Sequence, residues 1–273
     1  MTPAGNSVER LLRRERAIAL SLLVGVIMAS WGYLLAGAGM GMSAFEMTQL
    51  IYVDRPMAGM AMEPVLWSPG YAVIMFFMWW VMMIAMMLPS AIPMILLFAT
   101  VNRQRRASAG PIVSTTLFTA SYLMCWAGFS LAATVLHWAI NDVGLLAPGM
   151  VVTSQLLGAG ILLAAGLYQL TPLKKACLRH CRMPALYLAT HWRPGTSGAW
   201  LLGLRHGAYC LGCCWVLMLL LFFGGVMNLV WITGLALYVL LEKTLPAGHW
   251  LDYGLSVALT TAGGWLFLQG TLL

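Results

Sequence analysis

Charge is scarce in this sequence: only 8% of its 273 residues are Asp, Glu, Lys or Arg, against 61% hydrophobic. Soluble domains carry roughly a quarter charged residues, so this chain could not cover a water-facing surface. Alternating ten-residue strand patterns are also missing, which excludes an outer-membrane barrel. No long linker, low-complexity tract or internal repeat divides the chain, so residues 1–273 read as a single integral membrane domain. It carries no nucleotide-binding motif and no aspartate phosphorylation site, which argues against a primary pump.

What the chain does have is apolar runs of membrane-spanning length. In lipid every backbone polar group must be satisfied internally, so helices of about 20 apolar residues are the expected element. Such runs fall at about 17–38, 70–101, 112–138 and 150–171, with two helices sharing 207–242 and a last one at 252–272. Gly224, Gly225 and Asn228 are the natural break inside the shared run. The expected fold is therefore an all-α polytopic transmembrane bundle of about seven helices. Arg10, Arg13, Arg14 and Arg16 precede the first run, and no small-residue cleavage site follows it, so it reads as a retained signal-anchor.

Orientation follows from the basic residues. The arm at 1–16, the segment holding Arg103, Arg105 and Arg106, the stretch 172–205 and Lys243 all fall on one side of a seven-helix chain. Arg55 alone is left on the other side, in the loop 39–69 with Glu46, Asp54 and Glu63. Positive-inside bias makes the first side cytoplasmic and the N-terminus with it. The net charge of +7 is mostly this topology signal; divided among short loops, it excludes a nucleic-acid role.

Six cysteines carry the chemistry, and five of them cluster on the cytoplasmic half, where thiols stay reduced. In RHGAYCLGCCW, His206, Cys210, Cys213 and Cys214 share about a third of one helix circumference. In KKACLRHCRMP, Cys177, His180 and Cys181 also share a face. Soft sulfur ligands from both clusters favour Cu(I), with Zn(II) as the second choice. The plain competing reading is packing, since cysteine is a small apolar residue and Gly203 with Gly207 marks a close helix approach. Cys125 stands alone and reads as packing; His137, His191 and His249 read as interfacial.

Methionine extends the soft-metal argument, because thioethers bind Cu(I) without deprotonation. Met75, Met78, Met82 and Met86 form one helical stripe, while Met83 and Met87 repeat the four-residue step on the neighbouring face. In the outer loop Met57, Met60 and Met62 form an MxxMxM run beside Met40, Met42 and Met47. Methionine is also an ordinary apolar filler, but a loop offers no core to fill. Pro89 and Pro93 predict a kink in the methionine helix, with carbonyls near Leu88 and Ser90 left without donors. Glu242 and Lys243 read first as interfacial charges and second as an intramembrane functional pair.

The strings AMMLPSAIPM, YQLTPLKKACLRHCR, GLRHGAYCLGCCWVLMLLLFFGGVMNLVW and LLEKTLP resemble a bacterial family known only as predicted metal-binding integral membrane proteins of unknown function. That resemblance implies a multi-pass protein of the bacterial inner membrane and a presumed metal. Together these readings point to a binding or transport protein rather than an enzyme. Met57, Met60 and Met62 would capture Cu(I), Met82 and Met86 would pass it inward, and Cys177, His180, Cys181, His206, Cys210, Cys213 and Cys214 would receive it. The implied partners are the lipid bilayer, the metal ion, and a metallochaperone or membrane metalloenzyme complex. Two rivals come from other classes. One is a membrane thiol oxidoreductase using Cys210 with Cys213 or Cys214. The other is a structural or assembly subunit whose cysteines only pack.

Overall fold

A computed structural model describes residues 3–52, 67–104, 111–147, 149–245 and 248–272. Among these the chain is all-helical, apart from one isolated antiparallel bridge between Leu146 and Val152. In chain order the helices are α1 (Pro3–Leu35), α2 (Ala44–Tyr52), α3 (Pro69–Gln104), α4 (Pro111–Asp142) and α5 (Gln155–Tyr168). They continue with α6 (Pro172–Arg182), α7 (Pro184–His191), α8 (Gly195–Gly224), α9 (Leu229–Thr244) and α10 (Gly248–Leu272).

Local sequence sets these boundaries. Helices α3, α4, α6 and α7 each begin on a proline, whose fixed φ suits a first turn and whose missing N–H costs nothing there. Ser154 and Thr171 accept from the backbone of Leu157 and Lys174, capping α5 and α6. At α2 the Ser43 and Glu46 side chains each bond the other's backbone N–H, a reciprocal capping box that also holds the Glu46 carboxyl below its usual range. Between α8 and α9 the expected break is present. Gly225 takes φ +97°, and Asn228 donates to the Gly224 carbonyl while accepting from Val230 N.

Among the described residues four helices are long and apolar enough to cross a membrane: Arg16–Leu35 within α1, then α3, Ile112–Asp142 within α4, and α8. The bent pair α5 and α6 makes a fifth if it counts as one broken span, its two parts meeting at 62°. Helix α9 has only 16 residues, and α10 is diluted by Thr260, Thr261, Gly263 and Gly264. The stretch 172–205, expected as a loop, is instead α6, α7 and the opening turns of α8, and the loop 39–69 contains α2. Helix α3 runs on through Pro89 and Pro93.

Helices α3 and α8 form the centre, with 56% and 61% of their most apolar windows buried, whereas α1 stands at the rim with 17%. Among the described residues the most extensive helix contact is between α4 and α8. Glycine permits it: a Cβ on Gly203 would strike the Phe118 carbonyl, and one on Gly207 would lie 2.8 Å from the Cys125 sulfur. That approach brings Tyr122 of α4 against the buried face of α8.

Candidate metal centre

That face of α8 carries three thiols. Cys210, Cys213 and Cys214 are buried, and so is His206 one turn earlier. Helix α6 brings a fourth sulfur, because side-chain hydrogen bonds link Cys181 to Cys210 and Cys213, and Cys214 to the same two. From α3 comes a thioether: Met87 Sδ lies 3.8 Å from Cys214 Sγ. All six cysteines of the chain are free thiols.

Polar groups from three further positions converge on the cluster. Lys243, near the end of α9, points Nζ at Cys210 Sγ (3.0 Å) and at Ser90 Oγ (3.1 Å). The Tyr122 hydroxyl is 3.2 Å from Cys210 Sγ and donates to the Met87 carbonyl at 3.3 Å, an oxygen that Ser90 also reaches. His206 is stacked over Tyr122 with ring centroids 5.7 Å apart, and its buried Nδ1 has no hydrogen-bond partner. A buried nitrogen left unpaired is costly.

As they stand, the thiols face one another rather than a shared empty centre. Among the described residues no group of three or more His, Cys, Asp or Glu side chains is arranged to hold a metal ion. The Cys213 and Cys214 thiols both rest on the Cys210 carbonyl at 3.0 Å. Four thiols, one thioether and a free imidazole nitrogen nonetheless make a donor set whose chemistry fits a soft cation.

Behind the cluster lies a buried ionic group. Lys174 on α6 pairs with Glu242 and bonds Gln169, with Asp252 at 3.6 Å. Tyr238 donates to both carboxylates at 3.3 Å, and Arg182 Nε donates to the Glu242 carbonyl at 2.8 Å. Glu242 and Lys243, expected at the interface, are both buried, and they serve different partners. Successive residues on a helix point about 100° apart, so one faces Lys174 and the other faces Cys210.

The remaining sequence candidates are dispersed. Cys177 is buried on the flank of α8, where Gly212 makes room for its sulfur. His180 turns away, stacked flat on Tyr209 at 4.0 Å, with Nδ1 against the Ala176 carbonyl. Met82 and Met86 are buried in α3, but it is Met87, one residue on, that meets a cysteine. Met57, Met60 and Met62 lie outside the described residues. Cys125 donates to the Leu204 carbonyl at 3.2 Å in the α4–α8 contact. His137 is buried, accepting from Trp79 Nε1 at 3.4 Å.

The family described as PpoB2: Copper chaperone matches residues 76–266, from the first turns of α3 into α10. The chain belongs to the PpoB2 copper chaperone family. No curated protein and no solved structure matches it. The PpoB2 match takes in every residue of the thiol cluster and leaves out α1 and α2. Membership ties the chain to copper handling, which agrees with the soft donor set. Sequence reasoning does not pick out Tyr122 or Lys174, and it reads Met87 only as part of a methionine face and Lys243 first as an interfacial charge. Met87 lies in a run of methionines, Lys243 at the end of an apolar helix, and Lys174 in a basic stretch that reads as a polar connection.

Proposed function

We propose that this chain is a multi-pass protein of the bacterial inner membrane that takes Cu(I) as cargo into the buried cluster of Cys181, Cys210, Cys213 and Cys214. Seven crossings with a cytoplasmic N-terminus are part of that reading, carried by the distribution of basic residues. The observation that carries the metal site is the meeting of thiols from α6 and α8 with the Met87 thioether beside a single lysine. Two thiolates holding one Cu(I) carry a net charge of −1, and the Lys243 ammonium returns the buried group to neutrality. Such compensation matters most where water is excluded. Loading requires the Cys213 and Cys214 side chains to rotate off the Cys210 carbonyl. His206, whose Nδ1 is unpaired, is the further ligand within one helical turn.

The methionine route belongs to the same reading. Met57, Met60 and Met62 would collect the ion outside, and the buried stripe from Met75 to Met86 would carry it inward to Met87, some 18 Å along α3. Thiolate holds Cu(I) more tightly than thioether, so the order of ligands sets a direction of stabilisation.

Anaerobically purified protein is expected to bind about one Cu(I) per chain in competition with a chromophoric chelator. Cys210→Ser with Cys213→Ser is expected to abolish binding while helix content by circular dichroism stays constant. Unchanged copper content in that double variant would overturn the proposal. One contact favours a second reading: the Lys243 ammonium against Cys210, within a Cys210–Cys213 CxxC pair, is also how a reactive thiol is poised for disulfide exchange. Met87→Leu separates the two, since thioethers take no part in disulfide exchange.

A further inference from the structure

A cavity of about 620 Å³ opens between α1, α3 and α4, well apart from the thiol cluster, and its lining changes character along its length. At one end stand Arg16 and Arg103, with the threonines of the first turns of α4; toward the other end the walls are Leu22, Val26 and Leu123. From Arg16 to Val26 is ten residues, about 15 Å of helix, which is half the roughly 30 Å hydrocarbon core. The groove therefore reaches from a cationic rim to mid-membrane, the depth of one leaflet. No carboxylate lines it among the described residues. Its outer wall is the helix least covered by protein, with Leu22 65% and Val26 43% exposed.

We infer that this groove is a binding site for one anionic phospholipid of the inner leaflet, with the phosphate between Arg16 and Arg103 and an acyl chain lying between α1 and α4. Two guanidinium groups recognise a phosphate by paired, charge-assisted hydrogen bonds, which a purely apolar annulus does not provide. A neighbouring transmembrane helix would fill the apolar half but bring no anion to the cationic end. A zwitterionic lipid brings its own ammonium into the same cationic rim. Charge and length together thus select an anionic lipid.

The test titrates detergent-purified protein with dioleoyl phosphatidylglycerol or dioleoyl phosphatidylcholine and counts retained lipids by native mass spectrometry. One phosphatidylglycerol per chain is expected to be retained, with phosphatidylcholine weaker by roughly tenfold or more. Arg16→Gln with Arg103→Gln is expected to erase the preference, and Arg16→Lys with Arg103→Lys to keep most of it. Ala99→Trp, which fills the groove and leaves both charges, is expected to lose the lipid as well. Cu(I) stoichiometry, read on the same samples, checks that each variant is folded, because the thiol cluster shares no residue with the groove. Equal retention of the two lipids by the native chain would overturn the inference, as would a phosphatidylglycerol preference that survives the glutamine pair.

Discussion

Lys243 is the residue on which the charge balance of the thiol cluster turns. Its ammonium is the one cation in contact with Cys210 among the described residues, and its other partner, Ser90, is a neutral hydroxyl. Replacing it by Met keeps the length and removes the charge. An anionic copper–thiolate group would then sit buried without compensation, so Lys243→Met is expected to weaken Cu(I) binding about 10- to 100-fold, the range seen for outer-shell ligands. A chelator competition titration reads this directly; tighter binding in the variant would show that the ammonium opposes copper instead. Met87→Leu is a milder counterpart. The side chains have similar volume, so folding is expected to change by less than ~1.5 kcal/mol while a donor is lost. Met86→Leu should leave the affinity for the cluster untouched. The sequence reading singles out Met86 and not Met87. Met86 and Met87 are neighbours in one apolar string, and 100° of helix rotation decides which of them meets Cys214. The same rotation divides Glu242 from Lys243, which sequence could read only as a pair. By contrast the shared face of His206, Cys210, Cys213 and Cys214 was legible, because spacing on one helix needs no knowledge of its neighbours.

At the scale of elements, α6 is the piece that completes the site and the piece that hydropathy hides. Its 11 residues are too few to span a bilayer, and its outer face carries Lys175 and Arg179, so composition reads as loop. Pro172 and Pro184 at first-turn positions, after Thr171, were the available helix signals. Helix α6 leaves α5 at 62° and is fixed by Lys174, whose ammonium binds Glu242 of α9 and lies near Asp252 of α10. Lys174→Met would remove the cation paired with Glu242 and leave Arg182 as the remaining positive charge beside the two carboxylates. Breaking a buried pair in this way costs about 3–5 kcal/mol, whereas replacing both partners by apolar groups is often neutral. Lys174→Met is therefore expected to lower the thermal midpoint in detergent and to weaken copper binding together, since α6 carries Cys181. Adding Glu242→Met and Asp252→Asn should recover part of both. If copper affinity is unchanged while stability falls, the anchoring of α6 is not what holds Cys181 in place.

The depth of the cluster in the whole molecule follows from counting along α8. Gly224 and Asn228 mark one end of the bundle, and Cys210 lies 14 residues before Gly224, about 21 Å of helix. Lys243 lies 15 residues beyond Asn228 on the returning α9, about 22 Å, which is why the two side chains meet. Helix α5 also stops near this level, where the Tyr168 hydroxyl bonds the Gly212 carbonyl, and α6 bends across from its end. In the proposed topology, with the basic residues inside, the cluster would sit in the cytoplasmic third of an approximately 30 Å hydrocarbon core, with α6 over it on that side. Access for a cytoplasmic partner would then be past α6, and the proposed periplasmic approach along the methionines of α3. Cys181 is half-buried and Cys210, Cys213 and Cys214 are buried, so a membrane-impermeant maleimide should distinguish the two faces. In a chain whose only cysteine is Cys181, labelling is expected in inside-out vesicles and not in spheroplasts. Chains retaining only Cys210 or only Cys213 should resist the reagent from either side until the protein is denatured. Labelling of Cys181 from spheroplasts alone would invert the topology and place the thiols toward an oxidising compartment, where a disulfide rather than a copper site becomes the stable state.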